Sequence, residues 1–257
     1  MAKFDGILLA TDWDGTFFSN NQLFDKNLEA IRYFQENGGS FTLCSGRAHS
    51  FLMNYYDRVK PNTYAICYGG GLIIDPDTND VVYSGVCDEY ALAIVDGILS
   101  DGINSITLSL ENNVDPLVLS LDEYKLRRDE LTALPTHKIV IRFKTECDAL
   151  LAIDTCKSMD LRDYIAVRSW NVGLEFMKKE NGKGFALRRV AEMIGARLTV
   201  AVGDYENDIQ LLEYADIGYA VNNACPALKA VADRITVNVN ESAIAKIIED
   251  IEKEYCK

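Results

Sequence analysis

The sequence predicts an α/β protein with a parallel-sheet core, interrupted once by an inserted α+β cap. Three observations carry this. Short, continuous apolar runs alternate with helical periodicity over the first 75 or so residues, which is how buried parallel strands and their crossover helices read. The same texture returns from Gly182. Between them, runs of alternating polarity read as strands covered on one face only. The resulting boundaries are a first core segment at 1–82, a cap at 83–179 and a second core segment at 180–257.

Ile7-Leu8-Leu9-Ala10 is four apolar residues bounded by polar ones, a buried strand. Residues 25–37 carry Leu28, Ile31 and Phe34 at helical spacing and stop at Gly38-Gly39. Phe41-Thr42-Leu43-Cys44 and Tyr64-Ala65-Ile66-Cys67 are the next strands; after Gly69-Gly70-Gly71 come 72–74, a turn at 75–77 and 81–83. This β-α-β-α-β order implies parallel strands with right-handed crossovers. In the cap, strands are expected at 104–110, 138–144, 164–169 and 173–178, with helices near 88–101, 122–132 and 146–159. The second core segment predicts helices at 183–195, 206–214 and 226–232, each followed by a strand, at 198–202, 217–221 and 235–237. An amphipathic helix at 242–255 closes it, with Ile244, Ile247, Ile248 and Ile251 on one face.

Composition removes several function classes. Asp and Glu number 39 against 26 Lys and Arg, a net charge of −13 over 257 residues. No basic face is left for nucleic acid or an anionic membrane, so neither is an expected partner. No stretch approaches the roughly 20 apolar residues of a membrane helix, and the N-terminal apolar run is too short for a secretion signal. Seven cysteines include no C-x-x-C pair, and His49 and His137 lack the neighbours a zinc site needs. The expectation is a reduced, cytoplasmic protein; its oligomeric state is not legible.

In open parallel sheets, ligands bind beyond the carboxyl ends of the strands. Four such ends carry polar residues. Thr11-Asp12-Trp13-Asp14-Gly15-Thr16 follows the first strand, two carboxylates at i and i+2 suiting a metal-binding nucleophile and a proton donor, although Asp-Gly is ordinary turn chemistry too. Ser45-Gly46-Arg47 follows 41–44, offering a hydroxyl and an amide to phosphate oxygens and an arginine to a substrate. Asn181-Gly182-Lys183-Gly184 opens a helix, where the dipole already favours an anion. Gly203-Asp204-Tyr205-Glu206-Asn207-Asp208 follows 198–202; Asp204 and Asp208 at i and i+4 face one side and repel unless a cation joins them. In the cap, Arg127, Arg128, His137, Lys138 and Arg168 could contact an anion or a hydroxyl, but each reads first as a surface residue.

Taken together and in this order, the four segments resemble the motifs of the haloacid dehalogenase (HAD) superfamily of phosphatases. The position, size and texture of the insertion are similar to the Cof-type branch with a type C2 cap. The resemblance implies a Rossmann-like core and a Mg²⁺-dependent phosphatase for a small phosphorylated metabolite such as a sugar phosphate. It implies that Asp12 attacks phosphorus to form an aspartyl-phosphate, and that Asp14 serves as acid and then base. Mg²⁺ would be held by Asp12, the Asp14 carbonyl and Asp204, with Asp208 supporting its water shell. Ser45, Gly46 and Lys183 would hold phosphate oxygens, and Asn207 would orient the phosphate or Lys183. Two positions depart from the pattern: Trp13 replaces the usual aliphatic residue, and Tyr68 stands where Asn is common. A phosphomutase would use the same chemistry. A non-catalytic phosphometabolite sensor would have no use for a nucleophile beside a proton donor.

Overall fold

The structure, a computed structural model, describes residues 2–100, 105–111 and 116–256. Residue 104 of the expected strand 104–110 and residue 101 of the expected helix 88–101 lie outside the described residues. Two compact units emerge: residues up to Tyr83 together with those from Lys183 onward, and the intervening Ser84–Gly182.

The first unit starts with β1 (Ile7–Thr11), every residue of which is buried. Helix α1 (Asp25–Glu36) follows, burying Leu28, Ile31 and Phe34. It ends before Gly38, whose φ of +92° a side chain would resist. Next come β2 (Ser40–Leu43), α2 (His49–Val59), β3 (Ala65–Cys67), β4 (Leu72–Ile74) and β5 (Val81–Ser84). The chain then enters the inserted unit: α3 (Glu89–Ser100), β6 (Ser105–Glu111), β7 (Leu117–Leu119), α4 (Leu121–Leu131), β8 (Lys138–Phe143), α5 (Glu146–Ser158), β9 (Tyr164–Trp170) and β10 (Gly173–Lys178). It returns through α6 (Lys183–Ile194), β11 (Leu198–Gly203), a 3₁₀ turn at Glu206–Asp208, α7 (Ile209–Tyr214), β12 (Ile217–Ala220), α8 (Pro226–Val231), β13 (Arg234–Ile235) and α9 (Ala243–Tyr255).

The core sheet runs β13-β12-β11-β1-β2, parallel throughout. Strand β1 lies between the two chain segments: Leu9 sits beside Phe41 on one side and Val200 on the other. A parallel bridge from Cys44 to Ile66 brings β3 alongside β2. The expected helix 206–214 is split into a 3₁₀ turn and a helix, and the strand at 235–237 is shorter than expected. Helix α9 buries its isoleucine face, and Asn27 on α1, fully buried, accepts from the Ala245 amide at 3.0 Å.

The inserted unit has an antiparallel sheet in the order β7-β6-β8-β10-β9. Ile139, Ile141, Phe143, Leu174 and Phe176 join Ile94, Ile98 and Ala149 in a second core. Helices α4 and α5 start where the sequence offers capping boxes, Ser120 with Glu123 and Thr145 with Asp148.

Three of the expected surface residues are in fact buried. His137, Lys138 and Arg168 are 1%, 3% and 8% exposed. His137 Nδ1 donates to the Gly85 carbonyl at 2.9 Å, Arg168 pairs with Glu146 at 3.1 Å, and Lys138 pairs with Glu175 at 2.8 Å. Each is held by a partner distant in sequence. Arg127 and Arg128 meet Glu130 and Asp96 nearer the surface. Breaking a buried pair strands the remaining charge, at about 3–5 kcal/mol. Lys138→Met should therefore lower stability by about that much in urea denaturation, and Lys138→Met with Glu175→Met together should recover most of the loss.

Candidate active site

The site is built where β1, β2 and β11 end side by side. The Asp12 amide donates to the Val202 carbonyl at 2.9 Å, extending the β1–β11 pairing by one bond and fixing the direction in which Asp12 leaves the strand. Gly15 follows with φ +80°, and a Cβ there would collide with the Asp204 carboxylate. Glycine is thus what lets the loop after β1 lie against the loop after β11. Asn223 bridges the same region, donating to the Gly15 carbonyl at 2.8 Å and accepting from the Val239 amide.

Lys183, the first residue of α6, is buried, and its Nζ lies 2.6 Å from Asp12 Oδ1 and 2.5 Å from Asp208 Oδ1. Asp208 Oδ2 accepts from the Asp204 and Tyr205 amides at 3.0 and 3.4 Å. One carboxylate thereby locks the turn after β11 and anchors the lysine. Among the described residues Asn207, part-exposed in that turn, does not bond to Lys183; Asp208 takes the place expected for it. Thr16 Oγ1 donates to Asp204 Oδ1 at 3.3 Å.

A second group forms at the end of β2. The Arg47 fork grips both oxygens of Asp14, Nε to Oδ2 at 2.7 Å and a terminal nitrogen to Oδ1 at 2.9 Å, with both side chains about half exposed. Ser45 Oγ accepts from the Arg47 amide at 3.0 Å across Gly46. The amides of Tyr68 and Gly69 donate to the carbonyls of Arg47 and Ser45, so the segment after β3 braces this loop. The Tyr68 side chain is buried in the core.

The structure brings Asp12, Lys183, Asp204 and Asp208 together and places beside them Thr16 and Asn223, which the sequence did not single out. Thr16 lies within the first motif, where its hydroxyl was the available signal; nothing local marks Asn223.

The electrostatics call for a cation. Carboxylate oxygens of Asp12, Asp204 and Asp208 lie within 4.8 Å of one another. One ammonium, Lys183, faces all three carboxylates. Burial, then Asp208, pushes Asp12 up to about 7 despite the pull of Lys183. Burial, then Asp12 and Asp208, pushes Asp204 up to about 8. Burial alone would lower Lys183, but Asp12 and Asp208 hold it well above its ordinary value. Three closely set carboxylates whose repulsion must be relieved by protons or by a cation offer the hard oxygen donors that fit a divalent ion such as Mg²⁺.

Residues 9–248 match the family model of haloacid dehalogenase-like hydrolases. The chain belongs to this family. It is similar to phosphatase YwpJ of Bacillus subtilis, 25% identical over 95% of this chain and 99% of that one. It is also similar to the 5-amino-6-(5-phospho-D-ribitylamino)uracil phosphatase YitU of the same organism, 22% identical over 96% and 97%. Among solved structures, the HAD subclass IIB sugar phosphatase BT4131 shares the fold with a TM-score of 0.78, at 18% identity over 95% of this chain and 98% of that one. The HAD fold is thus common to chains whose sequences have diverged widely.

If Lys183 offsets part of the carboxylate charge, Lys183→Met should melt below the wild type without divalent cation and gain more in melting temperature from added Mg²⁺. Equal gains in thermal unfolding would contradict this division of charge.

Proposed function

We propose that this HAD hydrolase is a Mg²⁺-dependent phosphatase of small phosphorylated metabolites, working through an aspartyl-phosphate on Asp12. One observation carries the reading. A buried lysine, itself anchored by Asp208, holds the Asp12 carboxylate at the end of the central strand, within a carboxylate cluster of metal-binding type. Among the described residues, Lys183 is the one side-chain partner of Asp12, leaving Oδ2 to approach phosphorus.

In the first step, Asp12 forms a bond to phosphorus as the ester P–O bond breaks, and Asp14, protonated, gives its proton to the departing oxygen. In the second, Asp14 takes a proton from water, the water oxygen bonds to phosphorus, and the bond to Asp12 breaks to release inorganic phosphate. Asp14 thereby recovers the proton it gave. Ser45, the Gly46 amide and Lys183 hold phosphate oxygens, and Asn207 orients the phosphate. Arg47 must loosen its grip on Asp14 for the proton to move, and a substrate anion is the partner it would take instead. Mg²⁺, held by the carboxylates of Asp12 and Asp204 and the Asp14 carbonyl with Asp208 behind, would offset the charge that builds up as a phosphate dianion meets a carboxylate.

The names of the relatives support the substrate size: one acts on a phosphorylated ribitylaminouracil, and BT4131 is a sugar phosphatase. Seven free cysteines suit a cytoplasmic setting, and no helix among the described residues is long and apolar enough to cross a membrane.

With Mg²⁺, the wild type should release phosphate from para-nitrophenyl phosphate, and Asp12→Asn should lose at least about a thousandfold of that rate. Persistence of the rate would refute the role of Asp12. Asp14→Asn should slow alkyl phosphates by about 10²–10⁴-fold. The first-turnover burst of nitrophenolate should be slowed far less, because nitrophenolate leaves without a proton, while steady turnover of that ester still falls because Asp14 is needed again as the base for water.

A further inference from the structure

Next to Asp14 the first unit carries an aromatic group that phosphate chemistry alone does not require. The Arg47 guanidinium, bound to Asp14, also lies over the Phe51 ring at 4.8 Å. Phe51 and Tyr55 stand one turn apart on α2 with ring centres 5.5 Å apart, and Phe18 meets Tyr55 at 5.4 Å. All three rings are only partly buried. Beneath them Trp13, fully buried, stacks on Phe18 at 5.1 Å and 16° and touches Tyr55 at 4.8 Å.

Trp13 is costly as mere filler. Its Nε1 is buried with no partner among the described residues, and such an orphan donor costs about 1–3 kcal/mol. An aliphatic residue would fill the space without that cost. What the indole adds is a flat floor that sets the planes of Phe18 and Tyr55.

The position of this group relative to the reaction gives it a meaning. Resting on the assignment of Asp14 as the acid, Asp14 marks the side from which the alcohol departs. Arg47 grips Asp14 and rests on Phe51, so these are the side chains that border Asp14 where an alcohol would depart. Arginine faces and aromatic rings favour flat π-systems over saturated rings of equal size. We propose that Arg47, Phe51, Tyr55 and Phe18 form a leaving-group platform that selects phosphate esters whose alcohol carries a planar ring.

Benzylphosphonate and cyclohexylmethylphosphonate separate planarity from size, and their C–P bonds resist hydrolysis. Titration calorimetry on the wild type with Mg²⁺ should show benzylphosphonate binding about 3- to 10-fold tighter, the range of an aromatic contact. Phe51→Leu and Tyr55→Leu should each bring that ratio below threefold, and Met53→Leu, exposed on the same helix, should keep it. A wild-type ratio under threefold, failure of benzylphosphonate to bind, survival of the ratio in both leucine variants, or its loss in Met53→Leu overturns the platform. Because binding is read without turnover, phosphate release by Asp12→Asn would overturn the phosphatase reading separately.

Discussion

Lys183 between Asp12 and Asp208 is the contact on which the rest of the site depends. An ammonium buried against two carboxylates is stable only if neither side is left alone, since a stranded charge in such a place costs several kcal/mol. The pair therefore constrains its surroundings. Asp208 must be held by the amides of the turn after β11, α6 must begin at Lys183, and Asp12 must leave β1 toward both. Because Asp204 adds a further carboxylate, the cluster draws either protons or a cation to relieve the repulsion.

The second pair, Asp14 with Arg47, has a different physical character. Both side chains are half exposed, where an ion pair contributes little to stability and exchanges partners readily. One aspartate of the D-x-D segment is thus fixed and the other adjustable. That contrast suits the roles proposed for them, Asp12 as a nucleophile that must be aimed and Asp14 as an acid that must give up and regain a proton. Trp13 between them turns away into the aromatic group, so three consecutive residues serve three environments.

Much of this was legible in the sequence, for identifiable reasons. Ile7 to Ala10 is buried on both faces and reads as an unbroken apolar run; the polar ends of β1, β2 and β11 then followed from the geometry of parallel sheets, whereas Lys183 opens α6 after the antiparallel β10 and not at a core strand end. A strand as short as Leu117–Leu119, three apolar residues long, did not stand out. Burial of Lys138 was hidden because Glu175 lies 37 residues away, and a lysine in an alternating strand looks solvated until its partner is known. Asp208 was recognised by its spacing from Asp204, but its bond to Lys183 depends on how α6 returns to the sheet. The Arg47–Asp14 fork joins two motifs read separately.

The split of the core has a consequence for the order in which the protein is made. Asp12 and Lys183 are separated by 171 residues, roughly 10–35 s of synthesis at about 5–20 residues per second. During that interval β1 can pair with β2, while its other edge, the one β11 will cover, has no partner from its own chain. The inserted unit emerges meanwhile and has a hydrophobic core of its own to collapse around. The nascent chain therefore holds an apolar strand edge and an unneutralised aspartate until its last third arrives. The ribosome-bound intermediate is inert as a catalyst, and it is also the form of this protein most exposed to misassociation with other chains.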